Sequence, residues 1–505
     1  ESITIMKKLL IKSSYFRVIE IIIFTLTSLI LTPYLINHLG NENYGLWILI
    51  LSALGWFNFI DLGFSFVVQR NIMLALEKSD NDRINVVFSV GLVLFSFLGV
   101  VAAVCVLVLA IFPELLNISG DKSLIASFAL AVLAFKVFLD FVMNTFHGFY
   151  SAYFRTDIDA KLSSLNTIIK SILVFYFVVD MNIYGAVLAT IIADVITHSL
   201  KVYFAKKLHP DFSFSFKLVQ FSEVKEMFQF AKHLILLGVA TSINKRVDPI
   251  IISYLFGLKF VALYNVVNSL VNQVESLVIA VVGVFQPVFI KMVARGDNMN
   301  QILKQVISIN HLVVLVFYTP LAILAEDFIL LWIGDEYAEV GYIAFVLGFA
   351  YICKTISRPI KSLLLAQANH KLLSVVNLVG AFTNIGLSLW FGSMWGLEGI
   401  AIATVFGFFI ADVVLHLVLL RKYSDLPIWP PLLKFFLISI LFAGFTLSGQ
   451  YVLSYFPPLS WLQLVFAGFC CLIPTIIIGW LFVLHQDTKA KLFSVISNKI
   501  SNTNP

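Results

Sequence analysis

Fourteen apolar runs, each long enough to cross a bilayer, fill this 505-residue chain almost from end to end. They cover 15–38, 44–69, 84–112, 122–148, 159–179, 182–205, 230–256, 259–289, 302–325, 338–366, 370–393, 396–420, 432–455 and 460–484. Soluble chains do not use so much apolar surface, because beyond roughly 250–300 residues their cores stop growing and split into domains with polar exteriors. Here 60% of residues are hydrophobic and only 12% are charged, too few to cover such exteriors. A helix of about 20 residues crosses a hydrocarbon core of about 30 Å, and inside that core each backbone amide must be satisfied within the segment. The runs predict an all-α integral membrane protein of about fourteen transmembrane helices.

Cations between the runs fall on alternate loops. One side carries Lys7, Lys8 and Lys12, then Arg70, Lys78 and Arg83, then Arg155 and Lys161, then Lys201, Lys206, Lys207, Lys217 and Lys225. It continues with Lys291, Arg295 and Lys304, Lys371, Arg421, Lys422 and Lys434, and ends at Lys489, Lys491 and Lys499. Only Lys122 and Lys259 lie near the other side. The positive-inside rule places both termini in the cytoplasm, as an even number of spans requires. The count falls to twelve if the stretch 432–484 does not enter the membrane. The net charge of +5 then describes a face attracted to anionic lipid, not a nucleic-acid surface. Cys105, Cys353, Cys470 and Cys471 all lie in apolar runs, with neither disulfide nor metal spacing. The run 15–38 is too long for a signal-peptide core and reads as an uncleaved anchor, with Met6 a candidate natural start.

The chain also repeats itself. Lys161-Leu162-x-Ser164-x-Asn166, Gly185-x-x-x-Ala189-Thr190 and Ala193-Asp194-Val195-Ile196-x-His198 recur in the same order downstream. Their counterparts are Lys371-Leu372-x-Ser374-x-x-Asn377, Gly399-x-x-x-Ala403-Thr404 and Ala411-Asp412-Val413-Val414-x-His416. A further echo joins Pro33…Leu39-Gly40…Tyr44 to Pro249…Phe256-Gly257…Tyr264. The expected organisation is an N-terminal six-helix lobe over 1–205, a cytoplasmic linker over 206–229, a second six-helix lobe over 230–421, and a terminal helix pair with a tail over 422–505. Six is even, so the copies are parallel repeats; transporters of that design carry substrate between halves that rock against each other. The Gly-x-x-x-Ala pairs read as close-packing surfaces rather than ligand contacts.

Charge in mid-membrane costs roughly 2.5–3.5 kcal/mol on insertion scales, so each instance needs a partner or water. Lys136, Asp140, Asn144 and His147 share one face of the fourth run, and Asn265, Asn268, Asn272 and Glu275 share one face of the eighth. Lys354, Arg358 and Lys361 line the tenth; Asn58, Asp61, Ser65 and Gln69 line the second; Arg17 and Glu20 open the first; Asn244, Lys245, Arg246 and Asp248 sit near the middle of the seventh. Together these stripes predict a polar cavity. A plainer reading stands beside each. Lys136 with Asp140, and Lys245 with Asp248, can neutralise one another; Arg17, Arg70, Arg358 and Lys361 can snorkel to headgroups; the asparagines can bond between helices; Asp194 and Asp412 can bond within their own bundles. Arg246 resists such a reading, because its sequence neighbours do not share its face.

No catalytic constellation, phosphate loop or nucleotide-binding domain is evident, so neither enzymatic activity nor ATP hydrolysis is expected. The chain resembles the polysaccharide-repeat (O-antigen) flippases of the multidrug/oligosaccharidyl-lipid/polysaccharide (MOP) exporter superfamily. The residues that carry this are Leu39-Gly40-x-x-x-Tyr44-Gly45-Leu46-Trp47, Phe59-Ile60-Asp61-Leu62-Gly63-Phe64, Gln69-Arg70, Asp248-Pro249-x-x-Ile252-x-x-x-Phe256-Gly257 and Tyr264-Asn265. The resemblance implies a MATE-like architecture in the bacterial inner membrane. It also implies outward transfer of an undecaprenyl-diphosphate-linked oligosaccharide, with the phospholipid bilayer, a polymerase and glycosyltransferases as partners. Arg17, Arg70, Lys136, Lys245, Arg246, Lys354, Arg358, Asn268 and Asn272 are then candidates to line the substrate cavity. Glu20, Asp61, Asp140, Asp248 and Glu275 are candidates for coupling or gating. No cofactor or metal is expected beyond a coupling proton or sodium ion. A cation-coupled multidrug antiporter and a lipid II flippase of the same superfamily are the alternatives, and a non-transporting assembly partner is a third.

Overall fold

Amides in apolar runs have no partner but the carbonyl one turn back, and the chain is helical almost throughout. The computed structural model describes residues 2–59, 61–283, 285–295, 297–367, 369–486 and 488–489, with no strand among them. Its helices are α1 (Ser2–Gly55), α2 (Asp61–Glu77), α3 (Asn81–Ile111), α4 (Asp121–Ala152), α5 (Thr156–Leu208), α6 (Phe221–Phe256), α7 (Leu258–Gly283) and α8 (Gln286–Arg295). They continue with α9 (Asn300–Trp332), α10 (Asp335–Ala338), α11 (Ile343–Ala366), α12 (His370–Phe408), α13 (His416–Tyr423), α14 (Trp429–Tyr455) and α15 (Trp461–Ile478). A π-helical stretch, Phe409–Leu415, joins α12 to α13.

Among the described residues, ten helices are long and apolar enough to cross a membrane. Three of these ten hold two arms each, divided at Gly40, Asn182 and Gly396. The arms of α5 double back, since Asn166 Nδ2 donates to Asp194 Oδ1 at 2.8 Å across 28 residues. Those of α12 do the same through Asn384 Nδ2 and Thr404 Oγ1, at 3.0 Å. Dividing the three gives thirteen arms; α6, 36 residues long but too charged with Lys245, Arg246 and Asp248 to be among the ten, brings the long helical segments to fourteen. The chain is a multi-pass, all-α membrane protein, as its apolar runs predict.

Hairpins this tight need small residues at the fold. A Cβ on Gly185 would lie 2.4 Å from the Phe177 carbonyl oxygen, and one on Gly399 would lie 2.1 Å from that of Phe391. The Gly-x-x-x-Ala pairs are thus packing surfaces within each hairpin. Gly185→Ala and Gly399→Ala should each destabilise the protein by about 1–3 kcal/mol, the usual range for overpacking. Thermal unfolding in detergent is the measurement, and unchanged midpoints would remove the steric argument.

Two compact units emerge, Glu1–Ala262 and Leu263–Pro505. The division lies within α7 and not at 206–229, so α6, expected as the first helix of the second lobe, is packed in unit 1 against α1, α2 and α3. The expected linker is itself part of that unit. Asn85 Nδ2 donates to the Asp211 carbonyl at 3.3 Å, while the Ser213 and Ser215 amides donate to Asn85 Oδ1 and Ser89 Oγ at 3.0 and 3.2 Å. Phe212 lies among Phe88, Phe146 and Phe149. The Arg83 guanidinium then grips Glu223 with two bonds of 2.7 and 2.8 Å at the start of α6. In unit 2, α9 packs against α11, α14 and α15, and α11 against α12. The terminal pair is held there in part by Gln450 Nε2, which donates to the Ala322 carbonyl at 3.1 Å.

Candidate functional site

The polar stripe of α4 divides between two charged clusters in unit 1. In the first, Lys136 and Asp140 stand one turn apart on α4 and face Asp194 and His198, one turn apart on the second arm of α5. The Lys136 ammonium lies 2.6 Å from Asp140 and 3.1 Å from Asp194. His198 Nε2 is 3.3 Å from Asp140. Asn166, on the other arm of α5, donates to Asp194 and to Thr197 Oγ1. Lys136 is therefore held by two carboxylates rather than the one expected from sequence.

The second cluster sits where α4 turns into α5. Arg155-Thr156-Asp157-Ile158-Asp159 puts two carboxylates in the first turn of α5, where the helix dipole favours them. Asp157 is fully buried; Arg155, Lys12 and Lys161 lie 2.8, 3.4 and 3.9 Å from it. Asp159 bonds to His147 and lies 3.4 Å from Lys201. In the turn itself, burial pushes the Tyr153 phenol up to about 12, so it remains neutral. Neither carboxylate stood out in the sequence: Asp157 with Arg155 and Lys161 reads as an ordinary charged turn, and the partners of Asp159 lie on α4 and on the second arm of α5.

Arg246 occupies a different environment. The second span is broken: α1 ends at Gly55, a tight turn covers Trp56–Phe59, and α2 begins at Asp61. The Arg246 guanidinium lies against that break, where a methyl group on Gly55 would be 2.6 Å from Nε. Trp56 Nε1 donates to the Arg246 carbonyl at 3.4 Å. Among the described residues no carboxylate pairs with Arg246. Its neighbours diverge as expected, with Lys245 exposed and Asp248 buried. Arg17 is exposed and paired with Glu20 at 2.8 Å, and Arg70 is exposed. The side chains of Asn58 and Asp61 fall outside the described residues.

Unit 2 has its own cluster. From α7, Glu275 accepts a bond from Arg358 of α11; Lys354, one turn earlier on α11, lies 3.8 Å away. Lys354 also rests on the rings of Tyr351 and Phe408, 4.3 and 4.1 Å from their centroids. Tyr318 donates to Glu275 at 3.4 Å, Arg358 donates to Asn310 Oδ1 at 3.3 Å, and Tyr351 donates to Asn272 Oδ1 at 3.0 Å. Asn272 Nδ2 donates back to the Asn268 carbonyl at 2.8 Å. The α7 stripe and the α11 stripe therefore meet. Lys361 lies 2.7 Å from Asp412 in the π-helical stretch, so neither Arg358 nor Lys361 merely snorkels. Each copy of the sequence repeat thus joins a cation of its fourth span to the repeated aspartate of its sixth: Lys136 to Asp194, Lys361 to Asp412. Asn310 and Tyr318 were missed in the sequence because neither is charged and their partners, Arg358 and Glu275, lie on α11 and α7.

The Lys136 arrangement has a direct consequence. Removing its ammonium leaves two carboxylates in a low-dielectric site, where breaking a buried pair costs about 3–5 kcal/mol. Lys136→Met should sharply reduce folded protein in the membrane, and adding Asp140→Asn and Asp194→Asn should restore it. Normal abundance of the single variant would show that the carboxylates are solvated without the lysine.

The site thus belongs to a many-helix membrane protein in two units, with part-buried cations exceeding their described carboxylate partners around Glu275 and Arg246. Comparison with known proteins gives the family. Residues 11–293 match the model of a family described as polysaccharide biosynthesis protein, and the chain belongs to that family. It is 22% identical over 396 residues to the uncharacterized membrane protein EpsK of Bacillus subtilis (strain 168), covering 76% of this chain and 77% of that one. It is 24% identical to an uncharacterized membrane protein in the cps region of Klebsiella pneumoniae, over 50% of this chain and 56% of that one. Among solved structures, an inward-facing multidrug resistance MATE transporter of the MOP superfamily superposes with a TM-score of 0.66 at 15% identity, over 82% of this chain and 98% of that one. The lipid II flippase MurJ, inward closed, gives 0.62 at 16% identity, over 91% and 99%.

Proposed function

We propose that this protein flips an undecaprenyl-diphosphate-linked oligosaccharide repeat unit, of O-antigen or capsule type, across the bacterial inner membrane by alternating access. Transfer runs from the cytoplasmic to the periplasmic leaflet, and both termini are cytoplasmic. The observation that carries the reading is Arg246: a mid-span guanidinium with no carboxylate partner among the described residues, beside a broken helix, in a chain of a polysaccharide biosynthesis family. A guanidinium suits a diphosphate, because its planar fork offers paired donors to phosphate oxygens. Lys354 and Arg358 share the single carboxylate of Glu275, which leaves unit 2 a local positive excess suited to the same group. Sugars and diphosphate would exchange water for these groups while the polyprenyl tail stays in lipid. Outward movement of an anion from a negative interior is downhill by about 2.3 kcal/mol per charge per 100 mV. The reading therefore needs no coupling ion. The product would pass to the polymerase on the periplasmic side.

Deleting the gene should abolish surface polysaccharide and leave the lipid-linked repeat unit in the cytoplasmic leaflet, with recovery on complementation. Unchanged polysaccharide together with new sensitivity to cationic drugs would replace this reading with the multidrug antiporter. Cysteines substituted at 215 and 490 should label only from inside, and those at 41 and 458 only from outside; the opposite pattern would invert the direction of transfer.

A further inference from the structure

Lys170 has no role in the clusters described above. It lies on the first arm of α5, 14 residues after Thr156, which is about 21 Å along the helix at 1.5 Å per residue. That is mid-membrane depth, where an unpaired lysine costs roughly 2.5–3.5 kcal/mol. Among the described residues no carboxylate approaches its ammonium closely enough to pair, and it makes no hydrogen bond. It is neither sealed in the core nor fully exposed. One turn before it, Asn166 is bonded to Asp194, so Lys170 stands next to the Lys136 cluster and feels the charges of Lys136, Asp140 and Asp194.

The two lysines differ in availability. Lys136 is engaged by two carboxylates, and an incoming anion would have to displace one of them. Lys170 has no such competitor. The repeat shows further that the architecture does not demand a lysine here. Counted from the last shared residue before it, Asn166 against Asn377, the second copy places the fully buried Ala381 at this register, beside Gly380, where a Cβ would lie 2.5 Å from Ala411. One copy packs two helices closely at this point, and the other keeps a cation.

We propose that Lys170, not Lys136, is the substrate-binding cation where α4 meets α5, in addition to Arg246 elsewhere in unit 1, and that it takes an oxyanion of the lipid-linked glycan. This rests on the flippase reading above. The oxyanion can come from the lipid diphosphate or from an acidic sugar. The competing role is structural: Lys136, Asp140 and Asp194 together carry one excess negative charge, which Lys170 would balance from a distance.

The experiment measures binding of farnesyl diphosphate and of glucuronate to the full-length protein in nanodiscs. Lys170→Gln should weaken binding of one probe about ten-fold or more, the scale of one lost charge-assisted hydrogen bond. Lys170→Arg should retain most of it, and the affected probe identifies the source of the oxyanion. The double variant Lys170→Gln/Asp140→Asn removes the excess negative charge while Asp194 still holds Lys136. If Lys170 serves the substrate, the double variant binds as weakly as the single one; recovery would make Lys170 a structural counter-charge and overturn the proposal. Wild-type binding by the single variant would overturn it as well. Failure of the wild-type protein to bind either probe would instead remove the flippase reading on which the proposal rests.

Discussion

Arg246→Ala should abolish surface polysaccharide while the protein remains folded at normal membrane abundance. The two halves of this expectation have separate physical grounds. No described carboxylate depends on the guanidinium, so its removal leaves none of the described carboxylates without a partner. At the break the guanidinium lies against Gly55, and Trp56 bonds the Arg246 carbonyl, which alanine keeps. A charge-assisted hydrogen bond to substrate contributes about 1.5–3 kcal/mol, so loss of even one should slow transfer roughly ten-fold or more. Arg246→Lys should keep part of the activity, since an ammonium retains the charge but not the fork. The readout is lipid-linked repeat unit retained in the cytoplasmic leaflet, with abundance measured in parallel. Wild-type transfer by the alanine variant would exclude Arg246 from the mechanism.

The largest effect on stability is expected at Glu275. Its carboxylate is the shared partner of Arg358 and Lys354, and it receives the Tyr318 hydroxyl as well. Glu275→Ala leaves two cations facing each other within unit 2, and the loss should approach the ~3–5 kcal/mol seen when buried pairs are broken. Folded protein should largely disappear from the membrane fraction. Glu275→Gln/Arg358→Met removes the pair together and should restore folding, because replacing a buried pair by apolar groups is often neutral. Transport should stay impaired in the restored protein, which has lost one of its candidate substrate cations. Normal folding of Glu275→Ala would mean that water, not the carboxylate, solvates Arg358.

How far these features can be read from sequence depends on the range of the physics involved. The spans are legible because the thickness of hydrocarbon acts on contiguous residues, and the repeat because Asp194 and Asp412 keep their local company. The stripes on α7 and α11 are visible as one-face spacing, and they do meet at Glu275 and Arg358. Pairings are another matter. Lys136 and Asp194 are 58 residues apart, and the nearer Asp140 accounts for only one of the two bonds Lys136 makes. Lys170 escapes notice because its own run holds no charged residue at helical spacing, although its depth alone marks it as costly. The linker misleads for a related reason: His209, Pro210, Asp211 and the serines after them look like solvated loop, and only the packing of Phe212 and the bonds to Asn85 show that it is docked.

The docking of that segment, with α6 behind it, bears on how the protein is made. Unit 1 cannot be finished when its sixth span leaves the ribosome, since Arg83 must wait some 140 residues for Glu223, and the break at Gly55 waits longer still for Arg246. Until then α3 presents an ungripped guanidinium and the second span an open gap. The first copy of the sequence repeat ends near residue 205, but the first compact unit ends at Ala262. During synthesis the second copy therefore begins by completing the first.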